Sequence, residues 1–493
     1  MIPRLGLALG LATLFAVARA EGQLPAEGEP IRTNRYSIDL YQGPVLASTR
    51  VTGLAGAFVA MAEGVDGDSQ NPASPAVRTL YSRDHFDYDL GIGITFPSTV
   101  SNTDFFNSGK RTDIGQPEQS GFVFLGIAVN LTFGRWGFGL TTDLQNYNLN
   151  RADDALGRKG DQLNGQIAVG HLQLAHSFAD GELAVGIGAR TLALDVNSQS
   201  PSGERTLFST VGAGFETGFV WKPNDHPFRV GGAFRTAVNT EASAESQQRI
   251  VYQGDPSNEL WLPDEVALPW DLNVGAAIQF GPRPLNPRFV DPSDLVLKLR
   301  RYLAWRARER ERRKRHELAR ARAEGRDTAA LSDALDSEAS VQQALDDAAL
   351  ERAEQRADRA LVLRYASMER FFVLVTGSLL VSGAVEDAVG VESFLARRVQ
   401  RSGEKISLSP RAAVETEILP RWTRVRAGSY YEPTRFSDNN EGDRIHVTFG
   451  LDQKLFPWRV FGLFSDGTEW RLSGALDAAR GYFGWGVAIG LWH

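Results

Sequence analysis

The chain has 493 residues, 42% of them hydrophobic and 10% aromatic, with 49 glycines, no cysteine and a formal net charge of −7. Without cysteine there is no disulfide framework and no thiolate site, and the acidic balance argues against a nucleic-acid ligand. A length that would usually divide into several domains is also that of one large barrel.

Residues 1–20 read as an export signal: Arg4 supplies the basic start, Leu5 to Val17 the apolar run, and Ala18-Arg19-Ala20 the cleavage site before Glu21. No later stretch offers the ~20 apolar residues that a spanning helix needs, so a membrane protein of this sequence must cross as a closed barrel. An ordinary secreted β-protein, soluble without detergent, is the alternative. Residues 21–46 form a lead, and its Pro/Glu/Gly-rich start from Glu21 to Pro30 is expected to be a flexible periplasmic arm.

Residues 47–80 read ASTRVTGLAGAFVAMAEGVDGDSQNPASPAVRTL. Gly53 and Gly56 alternate with Ala55, Ala57, Ala60 and Ala62, small residues that let backbones approach closely, and Gly64 is placed as a helix stop. Asn71-Pro72-Ala73 is a rigid turn, because Pro72 fixes its own φ and pushes Asn71 to an extended shape. The stretch reads as a compact plug.

That block resembles the N-terminal hatch of the FadL-like long-chain fatty acid transporters of Gram-negative outer membranes. In that family a small-residue helix, an acidic Gly-rich turn and an Asn-Pro-Ala step precede the first strand. The matching residues are Gly53 to Ala62, Glu63 to Asp68, and Asn71 to Ala73. The resemblance implies about fourteen alternating strands and passive uptake of a hydrophobic, fatty-acid-like molecule. The molecule would be captured at the outer loops, held beside the hatch and released by a shift of the plug or a sideways opening in the wall. It further implies that Gly53, Gly56, Asn71 and Pro72 act as plug and gate residues through shape and mobility.

From Phe86 to Phe96 apolar residues alternate with polar or small ones over six repeats, about twice the usual strand length in soluble proteins. The pattern recurs at Val123 to Phe133 and from Trp136 onward, joined by Gly134-Arg135. It continues at Gly165 to Phe178, Leu183 to Val196, Leu207 to Trp221, Phe228 to Asn239 and Trp270 to Phe280. After an insertion it resumes at Arg370 to Ser382, Lys405 to Leu419, Trp422 to Tyr431, Arg444 to Leu455, Glu469 to Asp477 and Tyr482 to Trp492. These fourteen strands occupy 81–290 (the first eight) and 369–493 (the last six). Short connections alternate with long ones, as periplasmic turns alternate with outer loops in outer-membrane barrels.

Glu216, Arg229, Arg235, Asp271, Arg411, Glu415, Glu417, Arg424, Arg426 and Arg471 lie opposite the apolar residues of their strands. Facing lipid, each Arg at mid-membrane would cost ~2–4 kcal/mol, so these charges are expected to line the interior. Mixed signs there favour ion pairs with the plug over an ion-selective ring. Tyr430 and Tyr431 are assigned to an aromatic girdle.

Residues 291–368 break the rhythm. Asp291-Pro292 starts a helix, Gly325 stops it, and the Arg-rich first half faces a second half whose Asp327 to Leu350 stretch carries six acids and no base. The halves predict an antiparallel helical hairpin, with i,i+4 pairs Glu309–Arg313 and Glu311–Arg315. Strand parity puts it on the periplasmic side, either as a docking arm for a periplasmic partner or as a solvated, self-paired hairpin.

No H-E-x-x-H site, nucleophile elbow or phosphate-gripping glycine loop occurs, and Asp66-Gly67-Asp68 reads as a turn in place of a calcium loop. The sequence therefore points to a non-enzymatic, all-β transmembrane barrel with an N-terminal plug and a helical-hairpin insertion, needing no metal or other cofactor. Its expected partners are outer-membrane lipid and a hydrophobic small molecule. An outer-membrane scaffold that docks a periplasmic protein through the hairpin is the other reading.

Overall fold

The computed structural model describes residues 24–80, 82, 84–97, 104–109, 118–150, 162–200, 203–241, 249–251, 259–439, 441–458 and 468–492. The expected export signal over 1–20 lies outside the described residues, as do parts of the connections 97–119, 150–164 and 240–268.

The period-two runs close on themselves. Fourteen strands form one closed barrel in which each is antiparallel to its neighbours in the chain. They are β1 (Phe86–Phe96), β2 (Glu118–Phe133), β3 (Trp136–Asn150), β4 (Gln162–Phe178), β5 (Leu183–Ser200), β6 (Gly203–Trp221), β7 (Phe228–Arg235) and β8 (Asp271–Phe280), followed by β9 (Val373–Ser382), β10 (Ser407–Leu419), β11 (Thr423–Glu432), β12 (Arg444–Pro457), β13 (Glu469–Ala479) and β14 (Tyr482–Leu491). The seam is β1 on β14, in register from Gly91 opposite Gly490 to Phe96 opposite Trp485. Closure leaves the wall without an unpaired edge.

The alternation sorts the side chains by chemistry. Ile92, Leu172, Ile187, Phe215, Val274 and Leu472 are exposed on the outside, whereas Asn130, Gln173, Arg190, Glu216, Glu415 and Asp452 are buried inside. A continuous apolar exterior around a polar interior is the surface of a barrel that spans a membrane with its strands. At one end the strand termini carry exposed aromatics, among them Phe86, Phe133, Trp136, Trp221, Phe280 and Trp422, which form a belt at the level of a lipid interface.

The chain before β1 runs the length of the lumen. It begins at the end opposite that belt, where Ser37–Asp39 pairs in parallel with both Glu265–Leu268 and Ala388–Gly390; the latter belong to the long connections β7–β8 and β9–β10. This four-stranded sheet, with Val238–Glu241 as its other edge, caps the barrel. Its core holds Tyr36, Ile38, Leu40, Phe105, Leu192, Phe208, Val266 and Phe394. The flexibility expected over Glu21 to Pro30 is therefore corrected for the described residues 24–30. Gly28 N–H donates to the Val399 carbonyl at 2.8 Å, Leu24 and Ile31 are buried, and the segment lies at the capped end.

Two other expectations change. The seventh strand leaves the barrel at Thr236, whose hydroxyl accepts from Phe215 N–H at 2.8 Å, and Val238–Glu241 then joins the cap. The single small-residue helix is replaced by two short ones, α1 (Thr49–Gly53) and α2 (Gly64–Asp68), joined by turns with φ of 55° at Ala55, 73° at Gly56 and 41° at Ala62. Gly64 opens a helix instead of stopping one, and Asp66-Gly67-Asp68 lies within it.

The insertion folds as an antiparallel pair, α3 (Pro292–Ala323) and α4 (Thr328–Ala366), with Asp291 capping α3 through Ser293 N–H at 2.8 Å. It springs from the belted end, between Phe280 and Phe371. Pairing across the hairpin joins Arg306 and Arg310 to Asp346 at 3.0 and 2.7 Å. The expected pairs within α3 shift, since Glu309 meets Arg312 at 3.3 Å and Arg313 turns forward to Glu317 at 2.8 Å.

Val274, mid-strand in β8, is exposed on the outside. Val274→Arg is expected to lower unfolding stability in lipid vesicles by ~2–4 kcal/mol; an unchanged denaturant midpoint would mean that this face does not meet lipid.

Candidate functional site

The plug is held because its small residues fit the wall and its few charges meet wall charges of opposite sign. Gly53 lies where any Cβ would sit 2.8 Å from Arg426 Cδ and 2.9 Å from Gly450 Cα, so only glycine permits this approach. Gly56 adopts a left-handed φ of 73° with the Arg411 guanidinium packed against it. Asn71 is fully buried. Its Nδ2 donates to the Val59 carbonyl at 2.9 Å and to the Phe219 carbonyl on β6 at 3.0 Å, while its Oδ1 accepts from Ala73 N–H at 3.0 Å. The Pro72 carbonyl rests on Gly186 of β5. Apolar anchors complete the fit: Val51, Leu54, Phe58 and Met61 pack with Leu374, Ala413 and Tyr430 of the wall.

Three ionic contacts tie plug to wall. Arg50 reaches Glu415 on β10 at 2.9 Å, and Glu415 also accepts from Arg426 on β11 at 3.1 Å. Arg426 continues to Asp452 on β12 through Nη1 at 3.0 Å. Asp66 meets Arg471 on β13 at 2.6 Å, and Glu63 meets Arg229 on β7 at 2.7 Å. Burial alone would raise the Glu63 carboxyl, but Arg229, Arg50 and Arg283 overcome it and hold Glu63 below its ordinary value. The stability that Glu63 contributes is thus present at neutral pH and is lost as pH falls through that lowered value.

A second set of groups lies deeper in the wall. Glu216 is bonded by His171 at 2.9 Å and Gln173 at 2.8 Å, and Asp271 is shared by Arg190 and Arg235, each at 2.8 Å. Arg235 also donates to the Ser69 carbonyl of the plug at 2.6 Å. Arg424 lies inside as well, its guanidinium 4.4 Å from the Trp492 ring centroid. Tyr430 is not part of an aromatic girdle. Its side chain is buried in the lumen, donating to Asp477 at 2.7 Å and accepting from Val45 N–H at 3.1 Å, because residues of even number on β11 point inward. Sequence reading also passed over His446, which lies buried between Asp477 at 2.7 Å and Glu432 at 2.5 Å.

Between the cap strand, the plug and strands β7 to β10 is a cavity of about 200 Å³. Leu40, Val45, Leu46, Leu268 and Leu380 give it apolar sides, and Arg190, Arg235 and Arg411 enter it. Arg190 and Arg235 share Asp271 and Arg235 also pairs with Glu216 at 3.3 Å, but Arg411 forms no ion pair within 4.0 Å among the described residues; its Nε has only Ser409 Oγ at 3.4 Å. The residues that sequence reading grouped as lumen charges therefore divide. Arg229, Arg235, Asp271, Glu415 and Arg426 are in ion pairs, whereas Arg411 enters the cavity without a carboxylate within 4.0 Å among the described residues. Among the described residues no group of three or more acidic or histidine side chains has the arrangement to hold a metal ion.

The far end of the plug is joined to the hairpin. Arg78 lies 4.1 Å from the Phe289 ring centroid, Tyr365 Oη of α4 donates to the Ser82 carbonyl at 3.0 Å, and His85 meets Asp291 at 2.6 Å.

The site and wall together define a closed fourteen-stranded barrel whose lumen is occupied by its own N-terminal segment. No family model matches the chain, and no curated protein does. Among solved structures it is similar to a FadL homologue of Pseudomonas aeruginosa, with 11% identity over 92% of this chain and 99% of that one at a TM-score of 0.47. It is also similar to the P. putida toluene transporter TodX, with 8% identity over 91% and 98% at 0.46. For the CymD monoaromatic hydrocarbon channel the identity is 10% over 91% and 96%, at 0.42.

Removing one partner of a buried pair leaves the other charge uncompensated, which costs about 3–5 kcal/mol. Arg426→Met, which leaves Glu415 with Arg50 alone and Asp452 with Arg471 alone at 3.6 Å, is expected to lower stability by up to about that amount, read as a fall in the temperature at which the folded band is lost on an unheated gel. An unshifted temperature would show that the network does not hold the barrel.

Proposed function

We propose that the protein is a FadL-like transporter of a Gram-negative outer membrane that passes a hydrophobic molecule with an acidic head, such as a fatty acid, through a plugged barrel. The observation that carries this reading is the cavity beneath the cap, which combines leucine and valine walls with one unneutralised guanidinium, Arg411. Apolar walls with one convergent cation suit an amphipathic carboxylate. The plug residues Gly53, Gly56, Asn71 and Pro72 act as the gate in this reading, since they set how closely plug and wall fit. On this account the capped end faces outward and the hairpin end faces the periplasm.

The hairpin favours a second reading, an outer-membrane scaffold for a periplasmic protein. Its helices of 32 and 39 residues extend ~48 and ~58 Å at 1.5 Å per residue, farther than a turn between strands requires. Replacing 292–366 by a short turn leaves uptake intact if the barrel is the functional part, and abolishes capture of a periplasmic partner if the arm is.

A charge-assisted hydrogen bond is worth ~1.5–3 kcal/mol, so Arg411→Gln is expected to weaken binding of a long-chain carboxylate about ten- to a hundredfold. Calorimetry on the detergent-extracted protein reads this. Equal affinity of the two proteins would remove the acidic head from the proposal, and no binding by either would favour the scaffold.

A further inference from the structure

The hairpin face that α4 leaves uncovered has a chemistry of its own. Toward α4, α3 presents Arg300, Arg306 and Arg310, which pair with Glu354 and Asp346 at 2.7 to 3.0 Å. Around the helix from these, at spacings of three, four and seven, stand Leu295, Lys298, Tyr302 and Trp305, with the Arg306 guanidinium 5.9 Å from the Tyr302 ring centroid. Leu295, Tyr302 and Trp305 are 50%, 53% and 53% exposed, and the two aromatic rings stack with centroids 6.0 Å apart. Lys298 stands within this stripe and Arg301 and Arg308 flank it, and none of the three forms an ion pair within 4.0 Å among the described residues. Of the acids on the same side, Glu309 is paired with Arg312 at 3.3 Å and Asp294 sits in the first turn, where the helix dipole favours it.

The place of this stripe in the fold indicates what it meets. Phe280 and Phe371, which bracket the insertion, are exposed members of the aromatic belt, and Leu295 follows Phe280 by fifteen positions. Tyr and Trp concentrate where an apolar body and a polar tip are both satisfied, at the headgroup layer. Unpaired Lys and Arg beside them add attraction to anionic lipid. We propose that the root of α3, from Leu295 to Arg308, docks on the headgroup layer of an anionic phospholipid leaflet, so that the lipid interface continues from the barrel belt onto the arm. The arm is then tethered along the leaflet at its root, and only its outer half is free to reach away from the membrane.

The chain has no cysteine, which makes single-cysteine labelling of the full-length protein clean. Leu295→Cys and Tyr302→Cys carry an environment-sensitive dye. Val341→Cys, 58% exposed on the outer part of α4, is the control. The proteins are reconstituted in phosphatidylethanolamine–phosphatidylglycerol bilayers and titrated with a nitroxide-bearing phospholipid and with iodide. The expected result is loss of emission to the nitroxide lipid at 295 and 302 but not at 341, with iodide quenching 341 most. Combining Lys298→Gln, Arg301→Gln and Arg308→Gln, or using phosphatidylcholine bilayers, should reduce the lipid quenching. Labels at 295 and 302 that behave like 341 would overturn the docking, and lipid quenching indifferent to both changes would overturn its anionic character. Shielding from both quenchers only in native membranes would assign the face to a protein partner and overturn the proposal.

Discussion

The structure depends on the pairing of plug and wall charges inside a closed cylinder. A wall that turns its apolar side chains outward must turn its other face inward, and fourteen strands leave a lumen too wide for wall side chains to fill alone. Here the N-terminal segment fills it. Arg50 on Glu415, Asp66 on Arg471 and Glu63 on Arg229 fix three sides of that segment to β10, β13 and β7.

The division of labour within the plug follows from magnitudes. A buried ion pair contributes little net stability against an apolar replacement, because desolvation offsets the attraction. Full burial of Val51, Leu54, Phe58 and Met61 is worth ~1.5–3 kcal/mol each. Apolar packing therefore supplies most of the affinity of plug for wall, and the charges determine its position, since any other seating would leave buried ions unpaired. A plug held this way resists small displacements, since each would separate several buried pairs at once. The carboxylate proposed to bind at Arg411, whose guanidinium packs on Gly56, would add a negative charge at the edge of the plug.

The strands were legible in the sequence because one neighbour, lipid, imposes one rule on every second residue. That rule also places Arg424 and Arg426 inside, and applied one step further it puts Tyr430 inside and Tyr431 outside, which composition alone obscured. The plug was legible as a location through its Gly and Ala spacing and its Asn-Pro-Ala step. Its partners were not, since Arg50 and Glu415 stand 365 residues apart and sign alone names no pair. The cap was invisible for a related reason. Ser37–Asp39 is three residues long and gains its meaning from two distant segments that it joins. The hairpin was the easiest element, because Asp291, Gly325 and the opposed charge of its halves are all local signals.

Ionic conductance across a planar bilayer tests the central claim most directly, comparing the intact protein with one lacking residues 47–77. A lumen filled and pinned by this segment predicts no steady conductance from the intact protein and a permanent open pore from the shortened one. Equal steady conductance from both would contradict it.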